Sequence, residues 1–352
     1  MAGAWARLVW HSVGVAVLVA AAQLGVGQAL GIVGWDASFV GSDSGWRALL
    51  TWIGFCYAVA VLAGTAVGRR AIRRRTRGEG FAARVIAVIA AVVGAALAVG
   101  IAWLPARGAR PPVSVHPELV VAMTAAAGIV VGAVLSLAAL SAPPVAGAVR
   151  ATTTWIWLVA IGSAVAGVLT HKPYDAPRLA VLDAPSLVPS SWWSGPNLMI
   201  GVAAVLGLAV AAVARFGGAR RIGIGLSGLA GPAIVAAAYL IAGAGGGGDQ
   251  VGPFRASLIA VAAGACASIA VAVPGQPSHS SGRDRAERTA TAVDAAAPAE
   301  FDEPHPTEVA VPAPGPFDNT VMGQPVRGFD NDYANWLGGL GEPGRHSAAG
   351  QR

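Results

Sequence analysis

Charge is scarce in this sequence. Asp, Glu, Lys and Arg make up 12% of its 352 residues, where a soluble domain usually carries about 25%. That deficit argues against a soluble globular class before any residue is placed. Lysine is almost missing: Lys172 is the one lysine among 24 basic residues. Cysteine is limited to Cys56 and Cys266, each inside an apolar run, which excludes a disulfide framework and a CxxC metal site. In such surroundings a free thiol behaves as a small hydrophobe. Ionisable groups are missing from the centres of the long apolar runs, and Arg84 lies at the edge of one. Ion-coupled carriers usually place such groups at mid-membrane, so the lack disfavours a proton-coupled mechanism. No HExxH, His/Asp pair or GxSxG at a suitable depth supplies a hydrolytic apparatus, so the reading leans away from an enzyme.

What is abundant is apolar: 55% of the residues are hydrophobic. A hydrocarbon core of about 30 Å needs about 20 apolar helical residues. Eight runs meet or approach that length, at roughly 10–33, 48–68, 82–104, 119–140, 152–170, 197–214, 222–244 and 256–273. The first is too long for the apolar region of a signal peptide and has only Arg7 before it, so it reads as a span. The predicted fold is an all-α polytopic transmembrane bundle over 1–273, with about eight spans. Spans seven and eight are Gly-rich and short, which leaves six-span and seven-span versions open.

Arginine sets the orientation. Arg69, Arg70, Arg73, Arg74, Arg75 and Arg77 crowd one connection, and cytoplasmic loops collect arginine. Alternation then places 12 basic residues inside and 6 outside within 1–273. The expected location is the inner (plasma) membrane with both termini cytoplasmic. The arginines sit between apolar runs rather than on a soluble face, so no nucleic-acid partner is expected. Tryptophans near span ends, among them Trp5, Trp10, Trp46, Trp52 and Trp157, suggest an aromatic belt at headgroup level. Gly68-Arg69-Arg70 after span two and Gly218-Ala219-Arg220-Arg221 after span six form a faint echo of a four-plus-four repeat.

After Pro274 the composition changes to Pro, Ala, Ser, Thr, Asp and Glu, and 11 of the 18 acidic residues fall in 274–352. Such a stretch cannot bury enough surface to offset its ordering entropy, so a disordered acidic cytoplasmic tail is expected. Near its end Tyr333, Trp336, Leu337 and Leu340 have the spacing of one helical face. Gly338-Gly339 should end such a helix near Leu337, giving a short docking helix at 331–337 that orders only on a protein partner.

Three further sets of residues stand out. Thr124, Gly128, Gly132 and Ser136 repeat at four-residue spacing, which aligns small side chains for close helix packing within the bundle or in a homo-oligomer. Gln23, Gln28 and Asn197 are amides inside or at the start of spans, where they need partners and could line a substrate path. Gly223-Ile224-Gly225-Leu226-Ser227-Gly228 matches GxGxxG in letters but opens an apolar run instead of following a strand, so no cofactor is expected. In the first external loop, Asp36 and Asp43 occupy the position of the essential acid in polytopic glycosyltransferases that use lipid-linked sugars. The longest connection, about 171–196, holds a short apolar stretch around Leu179–Leu182 that reads as an interfacial cap lying on the outer leaflet.

With its Ala/Gly/Val-rich bundle and acidic Pro/Ala-rich tail, the chain resembles the uncharacterised multi-pass membrane proteins common in actinomycetes. The resemblance is one of composition and topology over the whole chain, and it transfers no catalytic residue. Function classes that stay open are a non-enzymatic membrane scaffold with a partner-recruiting tail, a transporter or lipid-handling permease, and an envelope-building membrane enzyme.

Overall fold

A computed structural model describes residues 2–35, 43–73, 81–111, 116–170, 177–182, 195–243 and 250–273. They form eight α-helices and no strand. The helices are α1 (Ala2–Ala29), α2 (Asp43–Arg73), α3 (Phe81–Ala106), α4 (Pro117–Ser141), α5 (Pro143–Thr170), α6 (Pro196–Phe216), α7 (Arg221–Ile241) and α8 (Val251–Ala272). All eight are long and apolar enough to cross a membrane, which makes this a multi-pass membrane protein. The spans read from the sequence each fall on one helix, spans seven and eight included. The acidic segment 274–352, with Tyr333, Trp336, Leu337 and Leu340, lies outside the described residues.

Local chemistry marks the ends. Proline opens α4, α5 and α6, where a missing N–H costs nothing because the first turn has no acceptor for it. Beyond the last turns of α6 and α7 the chain turns through Gly218 (φ 67) and Gly243 (φ 77), a left-handed conformation that glycine adopts without a Cβ clash. Away from the end turns and the carbonyl that Pro232 leaves without an N–H in α7, the helices close their backbone bonds internally, the requirement hydrocarbon imposes on a spanning segment.

The packing inverts the rule of soluble proteins. Large apolar side chains such as Leu18, Leu97, Met123 and Val168 are exposed on outer faces, while the buried face of α3 is alanine, one glycine and one valine. Lipid is as apolar as leucine, so helices associate through close van der Waals approach, which small residues permit. α2 is the central element: 83% of its apolar 18-residue stretch is buried, against 61% for that of α7 and 22% for that of α6.

Two groups of four helices share this core. In the first, α1 packs on α2 and α3, α2 on α3 and α4, and α3 on α4. In the second, α5 packs on α6 and α7, α6 on α7 and α8, and α7 on α8. The seam between them is α7 against α2 and α4, with α4 also touching α5. The neighbour pattern thus recurs in forward chain order. Burial does not follow it, since α2 is the most enclosed helix and its counterpart α6 the least.

Cross-helix contacts fix the helix directions. Gly68 at the end of α2 meets Ser12 near the start of α1 and Ala87 near the start of α3. Arg215 at the end of α6 donates to the carbonyl of Val271 at the end of α8 (2.7 Å). At the opposite end Gln250 donates to Ser44 (3.3 Å) and Arg47 to Gly243 (3.3 Å). Consecutive helices therefore alternate in direction.

Candidate functional site

A set of buried aromatic and polar groups gathers around α2. Trp52, Cys56 and Tyr57 are all fully enclosed, and Phe55 is nearly so. The Trp52 ring meets Trp157 of α5 at 5.6 Å between centroids and Phe55 edge-on at 5.9 Å. Its indole N–H donates to the carbonyl of Pro177 at 2.8 Å. The Tyr57 hydroxyl donates to the carbonyl of Ala98 on α3 (2.8 Å), and the Tyr239 hydroxyl of α7 to the carbonyl of Leu179 (2.7 Å). Each ring supplies apolar bulk, and each polar tip finds a backbone acceptor, which burial demands.

Gln23 joins this set. It is 9% exposed, and its amide N–H donates to the carbonyls of Cys56 (3.3 Å) and Val19 (3.4 Å). Its amide oxygen accepts from the indole N–H of Trp157 at 3.4 Å. The side chain thus ties α1, α2 and α5 together. Gln28 and Asn197, read with Gln23 as a substrate path, lie on exposed faces of α1 and α6.

Thr124, Gly128, Gly132 and Ser136 share the face of α4 that meets α2, and all four are buried. Gly128 rests on the backbone of Gly54, and a methyl group at Gly132 would lie 2.6 Å from the carbonyl oxygen of Ala58. Thr124 also borders Gly54, its methyl 3.8 Å from where a side chain there would begin. A second junction of the same kind forms where Gly207 of α6, Gly228 of α7 and Gly264 of α8 meet backbone to backbone. Gly228 belongs to the run that matches GxGxxG in letters. It lies within the helix α7 and serves this close approach, not phosphate binding.

Two readings of the connections change. The stretch at Leu179–Leu182 does not lie on the surface: Leu179, Ala180 and Val181 are each 1% exposed or less, inserted between α2 and α7. The Leu179 carbonyl accepts from Tyr239, and that of Pro177 just before the stretch accepts from Trp52, so bonding within the bundle replaces the headgroup region as their environment. The tryptophan belt divides for the same reason. Trp5 (38%) and Trp10 (74%) are exposed, whereas Trp46 and Trp52 are buried at 5% and 0%. Proximity to a span end is visible in sequence, but the direction of a ring around the helix is not.

The described acids are engaged. Asp43 pairs with Arg47 one turn along α2 (2.6 Å), and Glu118 lies 3.5 Å from His116. Asp36 lies outside the described residues. Among the described residues, no three His, Cys, Asp or Glu side chains gather closely enough to hold a metal ion. A small recess with a cavity volume of about 10 Å³ lies between α5, α6 and α7, lined by Thr152, Trp155, Met199, Leu206, Pro232 and Val235 among others. Its wall is almost wholly apolar.

Sequence reasoning missed the core roles of Trp52, Trp157 and the 177–182 segment. The available signal was Trp52 and Tyr57 within one strongly apolar span, since buried indoles and phenols need acceptors from another element. No protein-family model, curated protein or solved structure matches the chain.

Proposed function

We propose that this chain is a non-enzymatic integral membrane scaffold whose tail, 274–352, recruits a partner protein at the cytoplasmic face. The supporting observation is a filled core. Gln23, the buried amide among the three placed on a substrate path, has both ends of its side chain bonded within the bundle. Around it small residues bring backbones into contact, as at Gly128 on Gly54 and at Gly228 on Gly264. A rigid membrane anchor needs such packing, whereas a permease needs a polar passage.

The alternating helices and the arginine placement support an orientation. Arg69, Arg70, Arg84, Arg150, Arg215, Arg220 and Arg221 belong to one end of the bundle, and Asp43 and Glu118 to the other. The arginine-rich end is the cytoplasmic one by the positive-inside rule, which places both chain termini there in the plasma membrane. The surrounding bilayer covers the apolar outer faces. The tail would engage its partner through Trp336 as anchor, with Tyr333, Leu337 and Leu340 beside it, because tryptophan often dominates interface energetics.

The test uses the full chain in mild detergent, a Trp336→Ala, Leu337→Ala variant, and a chain ending at residue 273. The expected outcome is a protein that copurifies stoichiometrically with the intact chain and is lost from both others. Identical recovery with all three, or no specific protein with any, would overturn the recruitment reading.

A further inference from the structure

The acids among the described residues sit at one end of the bundle. Asp43 opens α2 and Glu118 lies in the first turn of α4, whereas Arg70, Arg84 and Arg150 belong to the other end. No carboxylate among the described residues therefore lies beside those three arginines. Arg150 is the deepest of them. It lies within the membrane-crossing part of α5, seven residues from Pro143, about 10 Å at the helical rise. Its side chain is exposed. Among the described residues none gives its guanidinium a hydrogen bond or an ion pair, and the neighbouring charge it feels is another cation, Arg70 near the end of α2. Arg70 is exposed as well.

Cations within a span are rare, and they pair with an opposite charge or mark a pathway. This pair repels itself. Arg84 shows the same shortage of acceptors at this end, since its Nε–H is enclosed and has no partner among the described residues. The surface beyond Arg150 indicates what the missing anion is attached to. Thr154, Leu158, Ile161, Val165 and Val168 follow at steps of three or four, which puts them on the face of α5 that carries Arg150. All five are exposed, Leu158 at 64% and Val168 at 77%. The guanidiniums reach back toward the headgroup level on their apolar stems, and an apolar stripe runs from them toward the bilayer interior. A phospholipid satisfies both parts, whereas a soluble anion satisfies the first alone.

We propose that Arg70 and Arg150 form a binding site for an anionic phospholipid, with the phosphate held between the two guanidiniums and an acyl chain lying along residues 154–168 of α5. Guanidinium forks match phosphate oxygens in pairs. A headgroup bearing an ammonium brings a third cation to the pair, so the site selects a headgroup of net negative charge. Basic sites between helices at the cytoplasmic face are suited to such lipids. Arg70 belongs to the first helix group and Arg150 to the second, so the bound lipid joins the two groups at this end. The site goes beyond the scaffold reading and does not depend on it.

Native mass spectrometry of the full chain in mild detergent tests the site, with phosphatidylglycerol, phosphatidylcholine or inorganic phosphate added. The chain should hold phosphatidylglycerol at least about tenfold more tightly than phosphatidylcholine. Inorganic phosphate in large excess should not displace it. Arg70→Gln combined with Arg150→Gln should lower the affinity for phosphatidylglycerol by about tenfold or more. Arg220→Gln combined with Arg221→Gln, an equal loss of charge at the same end, should leave that affinity unchanged. Equal affinity for the two lipids, or an equal loss in both double variants, would show attraction to general surface charge and overturn the site. Displacement by inorganic phosphate would overturn the lipid as its occupant. Should the Arg70, Arg150 variant not fold, Arg150→Lys decides the matter. It keeps the charge and loses the fork, so the affinity should fall several-fold, and an unchanged value overturns the proposal.

Discussion

At the scale of single residues, the bundle treats a buried polar group as a tie between helices. Gln23 shows this most directly, with its oxygen on Trp157 and its nitrogen on Cys56. Both bonds are long, and the carbonyls of Cys56 and Val19 already serve their own helices, so their worth is modest. Interhelical side-chain bonds in membrane bundles average about 0.6 kcal/mol by double-mutant cycles. Gln23→Leu should therefore cost less than about 1 kcal/mol, read as the thermal midpoint in detergent. A loss several times larger would mean that Gln23 organises more of the core than these bonds account for. Tyr57→Phe is the sharper case. It deletes the 2.8 Å bond to the carbonyl of Ala98, an oxygen that still serves its own helix, for an expected cost of about 0.5–1.5 kcal/mol by the same measurement.

At the scale of helices, glycine positions decide which faces meet. The α4 stripe approaches α2 so closely that Gly128 rests on the backbone of Gly54, which leaves no room for a longer side chain. Gly128→Leu must separate α4 from α2 or push its own rotamer off a minimum. The expected loss is about 1–3 kcal/mol, the usual range for overpacking. An unchanged thermal midpoint in detergent would argue that this face of α4 is turned to lipid. Gly264 is more confined still, because a methyl there would collide with the Gly228 carbonyl and approach that of Ala203 to 3.4 Å. Gly264→Leu should thus be at least as damaging as Gly128→Leu, and should loosen α6 and α7 together. Limited proteolysis of the α6–α7 connection, faster in this variant than in Gly128→Leu, would register that.

At the scale of the whole molecule, arginine placement and helix alternation together define a topology that can be checked in intact cells. The connection after α2 should be cytoplasmic and the one between α5 and α6 external. With the native cysteines replaced, Ser190→Cys should react with an impermeant thiol reagent and Thr76→Cys should react only after the membrane is broken. The reverse pattern would invert the protein and remove the tail from the cytoplasm, and with it the recruitment proposal.

The sequence by itself determined the helix class, about eight spans and the small-residue stripe of α4. Those properties rest on run length, hydropathy and small-residue spacing, which are local and survive without knowledge of neighbours. Each of the eight runs became one helix because hydrocarbon leaves a spanning backbone no other way to close its bonds. The tertiary structure alone decided which faces turn inward. Gln23 is buried while Gln28, five residues on, is exposed, and Trp52 is core while Trp10 is surface. In a chain whose helices are apolar on every side, amphipathic periodicity carries little signal, so direction around the axis is set by partners far away in sequence. The insertion of 177–182 between α2 and α7 is the extreme case. Its acceptors find donors 125 and 60 residues away, and no local pattern encodes a pairing at that range.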